Sequence, residues 1–499
     1  MSTKISRRMF LTSLLGATVA TGCSRVIDHF AQEGLPESLN PPGGDTRHPI
    51  AHLLNRAAYG PRPGQIEEVE RIGRTKWIEQ QLDYKNIDDT RLDFRLRRYD
   101  SLKFLARDLL DFEGDADYIR NELAAATIVR ATFSERQLYE VMVGFWTDHF
   151  SIYHFKGKTE FLKTVDDREV IRPHALGRFR DLLRASAHSP AMLFYLDNVV
   201  NERSHPNENY AREIMELHTL GVDGGYTEKD IQEVARCFTG WTINNRTGEF
   251  TFRDEWHDYG KKVVLGQEIY NPNNGKQDGE DVINLLVNHP STARFVCKKL
   301  VRRFIADDPP PHIVDACVET WRASEGNIKH VMRTLLMHPD FDQAPPKFKR
   351  PFELLVSILR ATNANYDGDF GLVERLDKMG HRPFGWTTPD GYPDIEALWT
   401  NNLFRYWQLE IDAAQNKLPG VDIDLWHIAD HVNVDDNPDA MLAFFGRLFL
   451  SRDLSPEDAA ALRTFAFQNG NLDLKDEDDR KHIIYTLGLL MSSPSFQWR

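Results

Sequence analysis

The segment from 207 to 220 carries the densest set of residues able to do chemistry. It follows Pro206, opens with an asparagine suited to capping a helix and stops at Gly221, so the spacing predicts a short helix. At about 100° per residue, one side of this helix presents an amide, a guanidinium and two carboxylates, which are Asn209, Arg212, Glu213 and Glu216. In a cleft, such a stripe could transfer protons and bind a polar substrate. The alternative is a solvated stripe in which Arg212 pairs with Glu216.

Two other segments add groups that could join this stripe. The helix predicted near 134–152 has an apolar stripe that His149 continues, so the imidazole should face the core. It is then either a hydrogen-bonded core histidine or a ligand or general base. The apolar run 191–196 ends at Asp197 and Asn198, close to the start of the 207–220 helix. We therefore expect these segments to meet.

Oxygen donors at this junction suit Mg²⁺ or Ca²⁺, and imidazoles would extend the choice to Mn²⁺ or Zn²⁺. The candidate catalytic residues are Glu213, Glu216 and His149. The candidate substrate-binding residues are Asn198, Asn209 and Arg212, and the candidate ligands of a divalent metal are Asp197, Glu208 and His218. A loop that closes on itself through asparagine and aspartate side chains would give the same pattern without a metal.

The elements that must position these residues are mostly helices. From about residue 49 onward, apolar residues recur at intervals of three and four, which predicts an all-α, multi-helix globular body. The exception is a small β-hairpin insert near 248–266. The proline-rich and charged stretch around 343–351 suggests a main helical domain over 49–345, with the candidate site, and a C-terminal helical region over 346–499 packed on it.

The first residues predict an export signal. Paired arginines at 7 and 8 precede a short apolar run, which is typical of a twin-arginine signal peptide over 1–22. Small residues precede Cys23, as at lipoprotein processing sites, so residues 23–48 form a linker that a lipid on Cys23 could anchor to a membrane surface. A chance cysteine is the alternative. We expect the protein in the periplasm or the outer membrane.

Composition excludes several classes of protein. The 499 residues include 61 Lys and Arg against 75 Asp and Glu, a net charge of −14, which argues against a nucleic-acid partner. No apolar stretch reaches the length of a membrane-spanning helix. The strict motifs of nucleotide-binding loops, α/β-hydrolases and zincins are absent. Beyond Cys23, the three remaining cysteines are expected to be buried thiols, with a Cys297–Cys317 disulfide as the alternative.

Several segments resemble the bacterial domain of unknown function 1800 family. They are 52–61, 145–150, 189–198, 207–241, 257–260, 379–380 and 391–393. Together they extend from residue 52 to near the end of the chain. The resemblance implies export, a largely helical body and a gene that is frequently found beside a gene of an exported sulfatase-like family. It implies no established activity.

The residues and the resemblance together suggest two functions. The first is an exported hydrolytic enzyme, in one version metal-dependent, that acts on an envelope or extracellular polymer. The second is a non-catalytic binding or assembly protein that acts with an exported sulfatase-like partner. A cleft that gathers the carboxylates and His149 would favour the enzyme, and a stripe in open solvent would favour the partner role.

Overall fold

The structure is a computed structural model that describes residues 34–468, 470 and 472–499. The predicted signal peptide and Cys23 lie outside these residues. In the described part no helix is long and apolar enough to cross a membrane.

The prediction of an all-α body is confirmed. Before the strands, the α-helices are α1 Pro49–Ala57, α2 Gln65–Ile72, α3 Arg74–Leu82, α4 Thr90–Leu96, α5 Ala106–Leu110, α6 Ala116–Phe133, α7 Gln137–His149, α8 Thr159–Asp166, α9 Arg172–His174, α10 Phe179–Ala187, α11 Pro190–Tyr195, α12 Glu208–Met215 and α13 Glu228–Cys237. After the first strands come α14 Lys276–Asn288, α15 Pro290–Phe304, α16 Pro311–Ala323, α17 Ile328–Leu336, α18 Pro351–Ala361, α19 Gly371–Lys378, α20 Leu403–Ala414, α21 Leu425–His431, α22 Pro438–Leu450, α23 Pro456–Ala466, α24 Glu477–Met491 and α25 Pro494–Gln497. Two π-helical turns, Asp167–Ile171 and Glu216–Leu220, continue α8 and α12.

The helix boundaries follow local chemistry. Proline occupies the first position of α11, α15, α16 and α18, where its missing N–H costs no hydrogen bond. Thr227 and Asp230 form a capping box at the start of α13. The Asn207 side chain accepts the backbone N–H of Asn209 and so begins α12 where the sequence predicts.

The β insert consists of two small antiparallel sheets. Strand β1 (Trp241–Ile243) pairs with β2 (Phe250–Phe252), and Thr242 lies opposite Thr251. Strand β3 (Lys262–Val264) pairs with β4 (Gln267–Ile269) across a turn in which Leu265 and Gly266 both have positive φ. Strands β2 and β3, which both lie in the predicted 248–266 insert, therefore belong to different sheets. A third pair joins β5 (Asn365–Tyr366) to β6 (Val421–Asp422).

One apolar cluster runs through most of the described chain, and α18 lies at its centre. All eleven residues of α18 are buried. Immediately before it, the backbone N–H groups of Lys347 and Lys349 donate to the carbonyls of Arg499 and Gln497, at 2.8 and 2.9 Å. The last described residues are thus held beside the start of the central helix. Cys237, Cys297 and Cys317 are buried free thiols, as favoured.

Candidate functional site

The acidic stripe lies on α12 and on the π turn that follows it. The Thr219 hydroxyl donates to the carbonyl of Ile214 at 2.6 Å, which satisfies a backbone oxygen inside the wider turn. Because the turn buries His218 and Thr219, Glu216 stays on the outer side of the helix, where it is half-buried. π turns of this kind are frequent at functional sites.

Arg212 does not pair with Glu216. Its guanidinium donates to both carboxylate oxygens of Glu228, at 2.9 and 2.7 Å, and lies 3.5 Å from Glu208. Glu216 instead accepts a hydrogen bond from the Tyr226 hydroxyl at 3.1 Å. The cation of the stripe is thus held away from its two central carboxylates.

Glu213 is the carboxylate of the stripe that has no polar partner in the described chain. It is half-buried, and within the described residues it has neither a hydrogen bond nor an ion pair. Burial and the charges of Glu216 and Asp390, partly opposed by Arg212, together raise the pKa of Glu213 to about 7. A carboxyl with such a pKa exchanges its proton near neutrality.

Asp390, whose charge acts on Glu213, lines a cavity of about 160 Å³, named here the Lys299 cleft. Its walls are the end of α7, the last turns of α15, the residue before α18 and the loop 390–394. The lining residues are Phe145, Asp148, His149, Lys299, Arg302, Arg303, Arg350, Asp390, Gly391, Tyr392, Pro393 and Asp394. Glu213 is not among them. Of the lining residues, the exposed Asp390 is the one whose charge raises the pKa of Glu213.

The loop reaches α7 because residue 391 is glycine. Gly391 has φ +77°, and a Cβ atom there would lie 2.0 Å from the backbone oxygen of Asp148. Only glycine permits both this backbone conformation and this approach. The contact brings Asp390 to the same cavity as His149, although 241 residues separate them in the chain.

Lys299 supplies a cation without a fixed partner. Its ammonium group makes no hydrogen bond or ion pair with any described residue. Burial lowers the pKa of Lys299 to about 8, while the charges of Asp148 and Asp390 act in the opposite direction. The group is therefore charged at neutral pH and free to contact a bound molecule.

His149 and His218 are uncharged at neutral pH. His149 is buried, its Nε2 donates to the carbonyl of His218 at 3.0 Å, and its Nδ1 has no partner among the described residues. Burial and the charge of Lys299 keep the pKa of His149 well below its usual value and lower that of His218 to about 3. Because Nε2 donates, Nδ1 carries the lone pair and can accept a hydrogen bond.

A buried charge cluster forms the rigid side of the cleft. Arg350 donates to Asp148 at 2.9 Å and to Glu353 at 3.1 Å. Glu353 also binds Arg303 and lies 3.2 Å from Arg499. Three guanidinium groups thus share one buried carboxylate, and they hold its pKa well below the usual range.

The structure does not bring the other predicted residues into the cleft. Asn198 is buried and its amide donates to the backbone oxygen of Trp241 at 2.9 Å, so it closes the loop and does not face a substrate. Asp197 has a left-handed backbone and binds Lys156 at 2.8 Å. Its second oxygen accepts a hydrogen bond from the exposed Asn209 at 3.4 Å.

The predicted metal ligands are engaged separately. Asp197 binds Lys156, Glu208 faces Arg212, and His218 is buried beside His149. Within the described chain, only His312, His338 and Asp340 bring three ligand atoms within 4.8 Å of one another. Asp197, Glu208 and His218 therefore do not fit a shared divalent metal in this arrangement.

Sequence reasoning did not identify Lys299, Arg350 or Asp390. Each belongs to a segment far from the acidic helix, and helical spacing says nothing about contacts between distant segments. The segment 391–393, which carries part of the family resemblance, was the one available signal for the loop beside Asp390.

Comparison with known proteins agrees with the resemblance. Residues 52–498 match the family described as Protein of unknown function (DUF1800), and the chain belongs to this family. No curated protein and no solved structure matches it.

Proposed function

We propose that this member of the DUF1800 family is an exported hydrolytic enzyme that uses Glu213 to transfer a proton and acts on an envelope or extracellular polymer. The supporting observation is the half-buried Glu213 carboxylate, which has no partner among the described residues, has a pKa of about 7 and feels the charge of Asp390 in the Lys299 cleft. A general acid or base works best when its pKa lies near the working pH. Twin-arginine export, predicted from the first residues, places the reaction in the periplasm or at the outer membrane.

The other residues take supporting roles in this proposal. Lys299 stabilises negative charge that develops on the reacting oxygen, since its ammonium group is free within the cleft. His149 accepts a hydrogen bond from the substrate through Nδ1. Glu216 keeps the Glu213 proton available by repelling the ionised form. Asn209 and Arg212 contact the substrate outside the cleft.

The proposal assigns no step to a metal. The residues predicted to hold one are each bound elsewhere in the fold, as described above. Metal analysis of the purified protein, with thermal melting before and after a chelator, tests the metal-dependent version. Bound metal together with a lower melting temperature after chelation would require a metal role.

The acid–base proposal is tested on the chain purified without residues 1–22. It is incubated with peptidoglycan, envelope polysaccharide and esterified polymer, and new reducing ends, amines and carboxylates are measured. Glu213→Gln should lower the rate about 10²–10⁴-fold, because general acid–base catalysis contributes that much. The matched control is Glu477→Gln, which removes an exposed carboxylate of α24 that binds Lys481.

Two results would contradict the proposal. One is a folded Glu213→Gln protein with wild-type rates on a polymer that the wild type cleaves. The other is a wild-type protein that releases nothing from any of the three polymers.

A second candidate is the assembly role with an exported sulfatase-like partner. Its support is a set of large apolar side chains left in solvent near the start of α20, with Leu398 56 % exposed, Phe404 70 % and Trp407 45 %. Phe404→Ser with Trp407→Ser should reduce co-purification of a co-expressed sulfatase-like protein. Leu105→Ser, at another exposed leucine, is the control. Equal recovery from all variants would reject this role.

A further inference from the structure

A second cavity, of about 420 Å³, lies where α1, residues 346–349, the end of α22 and the last residues of the chain meet. It shares no lining residue with the Lys299 cleft. Four cationic side chains line it: Arg47, Lys349, Arg452 and Arg499. Of the described residues that line it, none is an aspartate or a glutamate. The ionisable side chains that line the cavity are therefore all basic.

The two arginines at the outer side have neutral hydrogen-bond partners. Arg47 donates to Nδ1 of His52 at 2.8 Å, and His52 in turn donates through Nε2 to the carbonyl of Phe341. Burial, with Arg56 and Arg47, lowers the pKa of His52 to about 3, so this partner carries no charge at neutral pH. Arg452 donates to the hydroxyl of Ser495 at 2.8 Å. Neither arginine has a carboxylate within ion-pair distance among the described residues.

The two inner cations are buried and only partly satisfied. Lys349 is 4 % exposed, and its ammonium nitrogen lies 3.8 Å from the centre of the Phe496 ring and makes no hydrogen bond to any described residue. Burial lowers the pKa of Lys349 to about 7, so a bound anion would favour its charged form. Arg499 is also 4 % exposed, and its Nε has no partner in the described chain. Among the described residues its one carboxylate contact is Glu353, which it shares with two other guanidinium groups.

The nearby acids do not neutralise the cavity. Asp453 is held by Arg447 and by the backbone N–H of Gly44. Glu410 accepts a hydrogen bond from Gln497 at 3.2 Å, and burial raises the pKa of Glu410 to about 8, so its charge is largely absent at neutral pH. Buried cations without counter-charges are costly, and a bound anion would remove that cost.

We propose that this cavity binds a phosphate or sulfate monoester, with the oxyanion among Arg47, Lys349, Arg452 and Arg499 and the organic part against Phe449 and Phe496. Guanidinium groups match the oxygens of a tetrahedral oxyanion through paired hydrogen bonds. The volume exceeds that of an inorganic oxyanion and lies in the range of small-molecule sites. The two phenylalanines provide an apolar wall for a ring. This assignment is independent of the hydrolytic proposal.

The test is calorimetric titration of the chain lacking residues 1–22 with inorganic phosphate, phenyl phosphate and phenyl sulfate. The two phenyl esters should bind more tightly than inorganic phosphate. Arg47→Gln with Arg452→Gln should weaken binding at least about tenfold, as expected for lost charge-assisted hydrogen bonds. The control is Arg180→Gln with Arg294→Gln, which removes the same charge from two exposed arginines that bind Asn284 and Asp315.

Each result decides the assignment. No saturable binding of any of the three compounds would overturn it, as would equal weakening in the control. Inorganic phosphate bound as tightly as phenyl phosphate would overturn the placement of the organic part. If the double variant unfolds early in a thermal melt, Arg452→Gln alone gives the same comparison, because Arg452 is half-buried and its side chain bonds only Ser495 among the described residues.

Discussion

Glu213 has carboxylates as electrostatic neighbours and no cation within ion-pair distance in the described chain. Its ionisation should therefore cost stability. The folded-state pKa of about 7 lies above the ordinary value of 4.5, so the native state binds more protons than the unfolded state between these values. The free energy of unfolding should fall as pH rises through this window.

Glu213→Gln should remove this penalty. Above pH 7 the variant should be more stable than the wild type by about 1 kcal/mol after allowance for solvent screening, and below 4.5 the difference should disappear. Urea unfolding of both proteins at several pH values measures this difference in the free energy of unfolding. Glu228→Gln should show the opposite sign, because Arg212 lowers the pKa of Glu228. A pH-independent difference for Glu213→Gln would contradict the assignment.

Lys299 should react with acylating reagents at an unusually low pH. Only the neutral amine is nucleophilic, and the pKa of Lys299 is lowered to about 8 by burial. Mass spectrometry of acylated protein across a pH series should give a midpoint near 8 for Lys299. Lys481 is the internal standard, because contacts with Glu477 raise its pKa. A common midpoint for both lysines would show that the cleft does not perturb Lys299.

At the residue scale, the sequence could predict which side chains share one face of a helix, but not which residues contact them from other segments. The shared face of Arg212, Glu213 and Glu216, and the inward direction of His149, follow from 3.6 residues per turn. The pairing of Arg212 with Glu228 does not follow from helical spacing, because α13 approaches α12 through tertiary packing. Asp390 was unpredictable for the same reason.

At the scale of elements, the helices and several of their caps were predictable because they depend on local chemistry, as at Thr227 and Asp230. The π turn was not, since a single residue of extra length is decided by the burial of His218 and the hydrogen bond of Thr219. The second sheet also escaped prediction. It depends on a turn in which Leu265, a poor residue for positive φ, precedes Gly266.

The loop contact of Gly391 gives an element-scale prediction. Gly391→Ala should displace the loop from α7, because its Cβ would overlap the carbonyl of Asp148. Gly380→Ala is the matched control, since Gly380 has nearly the same φ, +76°, and open space around it. The control should lose about 1 kcal/mol from backbone strain alone, and Gly391→Ala should lose clearly more.

Urea unfolding compares these two variants, and Lys299 acylation reports the cleft. Loss of the low-pH reactivity of Lys299 should occur only in Gly391→Ala. Equal destabilisation of both variants would mean that the loop does not depend on the close approach.

At the scale of the whole molecule, Glu353 joins the two cavities. Arg303 and Arg350 line the Lys299 cleft, Arg499 lines the cationic cavity, and all three contact this carboxylate. A boundary near residue 345 remains a prediction from composition. The all-α class was predictable because apolar residues recur at intervals of three and four along most of the chain.

Glu353→Gln should be among the most destabilising single changes. It leaves three buried guanidinium groups without their shared carboxylate, and breaking a buried pair costs about 3–5 kcal/mol. The urea midpoint should fall accordingly. Glu79→Gln, which breaks the partly exposed pair with Arg333, should cost less than about 1 kcal/mol. Similar midpoints for both variants would show that the cluster does not stabilise the fold.

The approach of Gly391 to Asp148 also limits how this protein can be dissected. A fragment ending before residue 390 would keep His149, Glu213 and Lys299. It would lose Asp390, whose charge acts on Glu213 and Lys299, and Gly391, which lets the loop contact α7. Shortened versions are therefore unsuitable for activity screens. For the same reason, recombination between relatives would have to exchange both partners of this contact together.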